Sequence, residues 1–129
     1  MNSAGDAVDK TWTLGTAALS TSYVSSTYTV HNIGYSTVAL ATTSSNSTSA
    51  TTTWTVQPAV GANQFTMKAD ASTPLDAVYE LTLSTSAITL APFVRSGTSQ
   101  DFKLQLSTPT TSSTAAAQAI TVTITASQY

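Results

Sequence analysis

Apolar and hydroxyl-bearing residues alternate one for one along much of this chain, most plainly in Ile120-Thr121-Val122-Thr123-Ile124-Thr125. A period of two is the signature of a β-strand with one face buried and one wet, because successive side chains leave a strand on opposite sides. The rule returns in Phe102-Lys103-Leu104-Gln105-Leu106, Tyr79-Glu80-Leu81-Thr82-Leu83 and Phe65-Thr66-Met67-Lys68-Ala69. Ser and Thr supply about a third of all residues. They take outward positions that most soluble proteins give to Lys and Glu, so the wet faces are polar but nearly uncharged.

Strands are expected near 10–14, 23–31, 38–43, 52–57, 64–69, 78–84, 88–90, 99–107 and 119–126. Turn chemistry separates them in Asn32-Ile33-Gly34, Pro58 to Asn63, Ser72-Thr73-Pro74, Ala91-Pro92, Ser96-Gly97 and Thr108-Pro109. Roughly seven to nine short strands at this spacing give an all-β chain folded as an antiparallel β-sandwich. Only Ala115-Ala116-Ala117-Gln118 hints at a helix, and it reads better as a loop entering the last strand. The apolar members of each alternation form the expected core: Tyr28, Val30, Val38, Leu40, Trp54, Val56, Phe65, Met67, Leu81, Leu83, Leu104, Leu106, Val122 and Ile124. Trp54 is the expected central plug between sheets about 10 Å apart.

A chain of 129 residues is one domain and can bury a core without metals or crosslinks. Residues 20–129 are expected to form the sandwich. Residues 1–19 are expected to be an N-terminal arm or first strand that can be exchanged with a neighbour, with Trp12 and Leu14 as assembly anchors. Charged residues make up 8 % of the chain, far below the usual quarter. Such a coat suits a protein exposed to changing salt and pH, or one packed against copies of itself, where buried charge would cost desolvation. The expected setting is therefore extracellular or on the cell surface, with the virion as the alternative.

The net charge of −2 and the scattered Lys10, Lys68, Arg95 and Lys103 leave no footprint for nucleic acid. No stretch is apolar enough to insert into a membrane as a helix. The start Met1-Asn2-Ser3-Ala4-Gly5-Asp6 does not read as a signal peptide, which implies a signal already removed or release by lysis. There is no cysteine.

No catalytic residues, cofactor or metal are expected. His31 is the lone imidazole and has no carboxylate close in sequence to orient it, which argues against a Ser-His-acid device. Pairs drawn from Asp70, Asp76, Glu80 and Asp101 form no glycosidase motif. Asp70, Asp76 and Glu80 flank the Pro74 turn but lack the Asp-x-Asp-x-Asp-Gly spacing of a calcium loop. Residues 42–53 and 108–115 are low in complexity and read as exposed hairpin loops. The first of them contains Asn46-Ser47-Thr48, an acceptor sequence for N-linked sugar at Asn46.

The two final strand patterns, Phe102 to Leu106 running into Thr108-Pro109 and then Gln118 to Ala126, resemble the last two strands of immunoglobulin-like surface domains of bacterial and archaeal envelope proteins. Tyr28-Thr29-Val30-His31-Asn32-Ile33-Gly34 is similar to their Asn-x-Gly hairpin after an early strand. The resemblance covers about half the chain and implies an immunoglobulin-like sandwich, Greek-key or jelly-roll-like, with a scaffold role and no functional residues to carry over. The expected function is thus a non-catalytic structural subunit of an extracellular filament or cell-surface assembly, whose partners are copies of itself, joined by strand addition. The alternatives are a virion component, as a capsid decoration or tail protein, and a carbohydrate-binding module using exposed aromatics such as Tyr23, Tyr28, Tyr35 or Trp12.

Overall fold

Period-two alternation produces nine strands in a computed structural model, which describes residues 11–129: β1 (Ser22–Val24), β2 (Tyr28–His31), β3 (Val38–Ser44), β4 (Thr55–Val56), β5 (Gln64–Asp70), β6 (Leu81–Thr82), β7 (Ile88–Val94), β8 (Ser99–Ser107) and β9 (Val122–Gln128). Among the described residues there is no helix, and so none long and apolar enough to cross a membrane. The strands form two sheets. In the first, β8 pairs with β1 and β2 along one side and with β5 along the other, and β5 carries β4 and β6 beyond it. In the second, β3 lies between β7 and β9. The ladders are antiparallel except for β4 on β5, which is parallel.

The core lies between the sheets. Phe65, Met67 and Ala69 of β5 and Phe102, Leu104 and Leu106 of β8 meet Leu40 of β3 and Leu90, Ala91 and Val94 of β7. Phe65, Leu40 and Leu83 are the largest apolar side chains lost to solvent. Trp54 is not the plug. It is half-buried at the margin, and its indole N–H donates to Ser112 Oγ at 2.9 Å. Only Thr55–Val56 of the expected 52–57 strand pairs, so Phe65 on the long central strand occupies the middle instead. On β3 the inward positions include Thr42 and Ser44, so the hydroxyls do not all face outward. Thr42 Oγ1 is buried and makes no hydrogen bond among the described residues.

Other expected boundaries shift for local reasons. The 23–31 strand breaks at Ser25, whose N–H donates to Leu104 O while its hydroxyl accepts the Leu104 N–H, a side chain standing in for a ladder bond. Residues 11–14 form no strand; Lys10 lies outside the described residues. The last strand begins and ends later than expected, at Val122 and Gln128.

Asn32-Ile33-Gly34 is a crossover rather than a hairpin, because it carries the chain from β2 in one sheet to β3 in the other. Asn32 is buried there. Its Nδ2 donates to Ser36 O and to Val94 O, both at 2.8 Å, and its Oδ1 accepts the Gly34 N–H. Its backbone bonds the opposite crossover, from β7 to β8: the Asn32 N–H donates to Thr98 O at 2.9 Å, and Asn32 O accepts the Gly97 N–H at 2.8 Å. Gly97 takes φ +75°, open to glycine at little cost, where that second crossover turns.

Candidate functional site

Among the described residues, the acids and the lone histidine lie on the first sheet and the loop that leaves it. β5 ends at Asp70, and the loop of residues 71–80 returns over it before β6. Asp70 is wholly buried, and its carboxylate organises that loop: Oδ1 accepts the Ser72 N–H at 2.9 Å, and Oδ2 accepts those of Asp76 at 3.1 Å and Ala77 at 2.9 Å. Burial pushes this carboxyl up, but the hydrogen bonds from Ser72, Ala77 and Asp76 outweigh it and hold it below its ordinary value. Burial, and then the Asp70 charge, push the neighbouring Tyr79 phenol up. Ala77 is held at φ +64°, a left-handed conformation that a non-glycine residue adopts at a cost of about 1–2 kcal/mol.

Carboxylate oxygens of Asp70, Asp76 and Glu80 all lie within 4.8 Å of one another, closer than their spacing in sequence suggested. Each nevertheless has a local task. Asp76 Oδ1 accepts the Val78 N–H, and the Ser72 hydroxyl lies between Asp76 and Glu80, 3.1 Å from Glu80 Oε1. The cluster is a self-bonded loop brace.

Beside this loop lies a cleft of about 310 Å³ lined by Thr27, Ser72, Thr73, Pro74, Leu75, Ser99 and Asp101. The β2–β8 register sets His31 opposite Ser99 and Thr29 opposite Asp101. His31 Nδ1 lies 2.7 Å from Ser99 Oγ, a hydroxyl–imidazole contact that sequence reasoning missed. The two residues are 68 apart, so only strand register reveals the pair. A working nucleophile needs an oriented base, and here Asp101 Oδ1 accepts the Thr29 hydroxyl at 2.6 Å instead. His31, Ser99 and Asp101 are all exposed on the sheet surface.

The other expected site residues are dispersed. Asn46 is exposed, and its Oδ1 accepts the N–H of buried Val56 at 3.0 Å. Trp12 and Leu14 are half-buried against this chain's own core. Of the aromatics considered for sugar binding, Tyr23 Oη accepts the Ala18 N–H, Tyr28 packs on Phe102 at 5.6 Å, and only Tyr35 is fully exposed. Phe93 and Tyr129 are also exposed, but their rings meet edge to face at 64° and make no flat platform.

The two low-complexity segments are bonded to each other and close one end of the sandwich. Ser47 is buried, trades hydrogen bonds with Trp54 and contacts Gln118. Thr48 pairs with Ala119, Thr51 bonds Thr114, and Asn63 bonds Ser113. Compared with known proteins, the chain matches no family model, no curated protein and no solved structure.

Proposed function

We propose that this chain is a non-catalytic structural subunit of an extracellular filament or cell-surface assembly, built on an immunoglobulin-like sandwich like the envelope domains its sequence resembles. One observation carries the reading: the outward face of the β7–β3–β9 sheet is free of charge, with Thr43, Thr89, Thr123, Thr125 and Ser127 set among Ala39, Ala41 and Phe93, while the clustered acids are committed to bracing their own loop. Such a face can be laid against another neutral face without stranding ions away from water. The partners are copies of the same chain. Exchange of residues 11–19 between copies would remake the Trp12 and Leu14 contacts on a neighbour's core with no new chemistry. Asn46, at an exposed position, is the place for N-linked sugar.

Electron microscopy and sedimentation of the protein isolated from its native source test the proposal. Filaments or sheets of repeating subunits are expected. Particles with capsid or tail geometry would move the role to the virion, and a monodisperse monomer would overturn the assembly reading.

A further inference from the structure

The exposed edges of the two sheets are unequal. The β1–β2 edge breaks at Ser25, and β4 and β6, two residues each, make the opposite edge. β7 contains Pro92, which has no N–H to offer, and its register with β3 slips twice. β9 pairs with β3 at seven consecutive positions without a slip, and it contains no proline, glycine or charge. These are the features by which natural edge strands avoid pairing with other chains, and β9 has none of them.

The open groups can be assigned. The Ser45 N–H bonds Thr121 O, and the Tyr129 N–H bonds Thr37 O. Residues alternate in direction along an antiparallel ladder, so Thr123, Thr125 and Ser127 also bond toward β3. Val122, Ile124, Ala126 and Gln128 therefore direct N–H and C=O away from it, and among the described residues nothing pairs with them. The core-facing side chains of Val122, Ile124 and Ala126 stay half-buried, since among the described residues no strand lies beyond β9.

We propose that β9 pairs with β9 of a second copy, antiparallel about a two-fold axis at Thr125, making one continuous sheet across both copies. Full overlap of the strand sets Val122 against Gln128, Thr123 against Ser127 and Ile124 against Ala126. All four residues with open backbone groups then fall on hydrogen-bonded sites, giving about eight main-chain bonds. On the core side Ile124 meets Ala126, with Val122 against Gln128 at the ends, and on the outer side hydroxyl meets hydroxyl, a favourable cross-strand pairing. No like charges meet across the axis. The edge of a single strand covers less than the roughly 800 Å² per partner of a standard interface, so the isolated pair dissociates on dilution. This pairing rests on the assembly reading above and names its contact.

The test uses the full chain. In wild type, sedimentation mass rises with concentration. Ala126→Pro deletes one outward N–H and spares the β3 ladder, and it abolishes that rise while circular dichroism stays unchanged. If that variant unfolds, Thr125→Lys and Thr125→Asp serve instead, each monomeric alone and associating when mixed. Because the chain has no cysteine, Thr125→Cys forms disulfide dimers under mild oxidation, since facing residues at such sites suit the bond. Thr29→Cys, on the other sheet, stays monomeric. Association of wild type that neither Ala126→Pro nor the Thr125 charge variants weaken overturns the β9 contact and leaves assembly to another face. Wild type that stays monomeric at every concentration overturns both.

Discussion

Asn32 ties together the two places where the chain passes between sheets, and replacing it with Ala tests whether that tie holds the sandwich closed. The side chain makes three hydrogen bonds, to Ser36 O, Val94 O and the Gly34 N–H. At about 1 kcal/mol net for each, their loss costs roughly 3 kcal/mol. Val94 is buried, so its carbonyl loses a partner that water cannot readily replace, which adds on the order of 1 kcal/mol or more. The expected loss of about 4 kcal/mol is a large share of the roughly 5–15 kcal/mol that stabilises an ordinary domain. Denaturant unfolding followed by tryptophan fluorescence measures it. Asn32→Asp should lose a similar amount at neutral pH, because a carboxylate would face two carbonyl oxygens that now accept from an amide, and it should recover in part when protonated. A loss below about 1 kcal/mol for Asn32→Ala would refute the assignment of the crossover to this side chain and leave it to the backbone bonds alone.

Thr42→Val removes a buried hydroxyl that has no hydrogen-bond partner and should raise stability by about 1 kcal/mol in the same assay; a loss would reveal a partner for that oxygen. Trp54→Ala should cost less than Phe65→Ala, which empties the centre of the core at about 3–5 kcal/mol, and equal losses would restore Trp54 to the middle. The Asp70 carboxyl is held below its unfolded value of 3.8, so its contribution is complete above that pH and is lost as pH falls through the lower folded value. Acid unfolding of wild type should therefore be steeper below about pH 4 than that of Asp70→Asn, and calcium should leave the melting temperature of wild type unchanged because the Asp70 oxygens already accept three amides. Ser99 should resist a fluorophosphonate probe, and labelling that disappears in His31→Ala would overturn the non-catalytic reading.

The strands readable in the sequence are those whose alternation stands by itself. β5, β8 and β9 come within a few residues of their expected bounds because one face of each is apolar and the other is hydroxyl or charged over several repeats. β4 and β6 shrink to two residues each because pairing depends on a neighbour as well as on pattern. Thr52 to Gln57 has the right residues, but the chain turns back at Gly61 and gives β4 only a short parallel contact with β5. The parallel pairing leaves no trace in the order of residue types. The misplacing of Trp54 has a related reason: size marks it as a core residue, while the strand that would carry it inward is too short to do so.

The site groups divide in the same way. The Asp70 loop was half legible, since three acids around a proline turn announce a cluster, yet the sequence does not say that Asp70 spends both oxygens on its own backbone. His31 and Ser99 meet through the β2–β8 register, and a one-residue slip would separate them. The hydroxyl-rich segments were the least legible, because Ser and Thr read as solvent-facing filler until a second strand of the same composition lies beside them. In a chain without cysteine, those side chains cross-link one end of the sandwich by hydrogen bonds, as Ser47, Thr51 and Asn63 do. On the outer face of β9 the same residue types, Thr123, Thr125 and Ser127, find no such partner among the described residues, and that contrast is what the proposed pairing with a second copy would resolve.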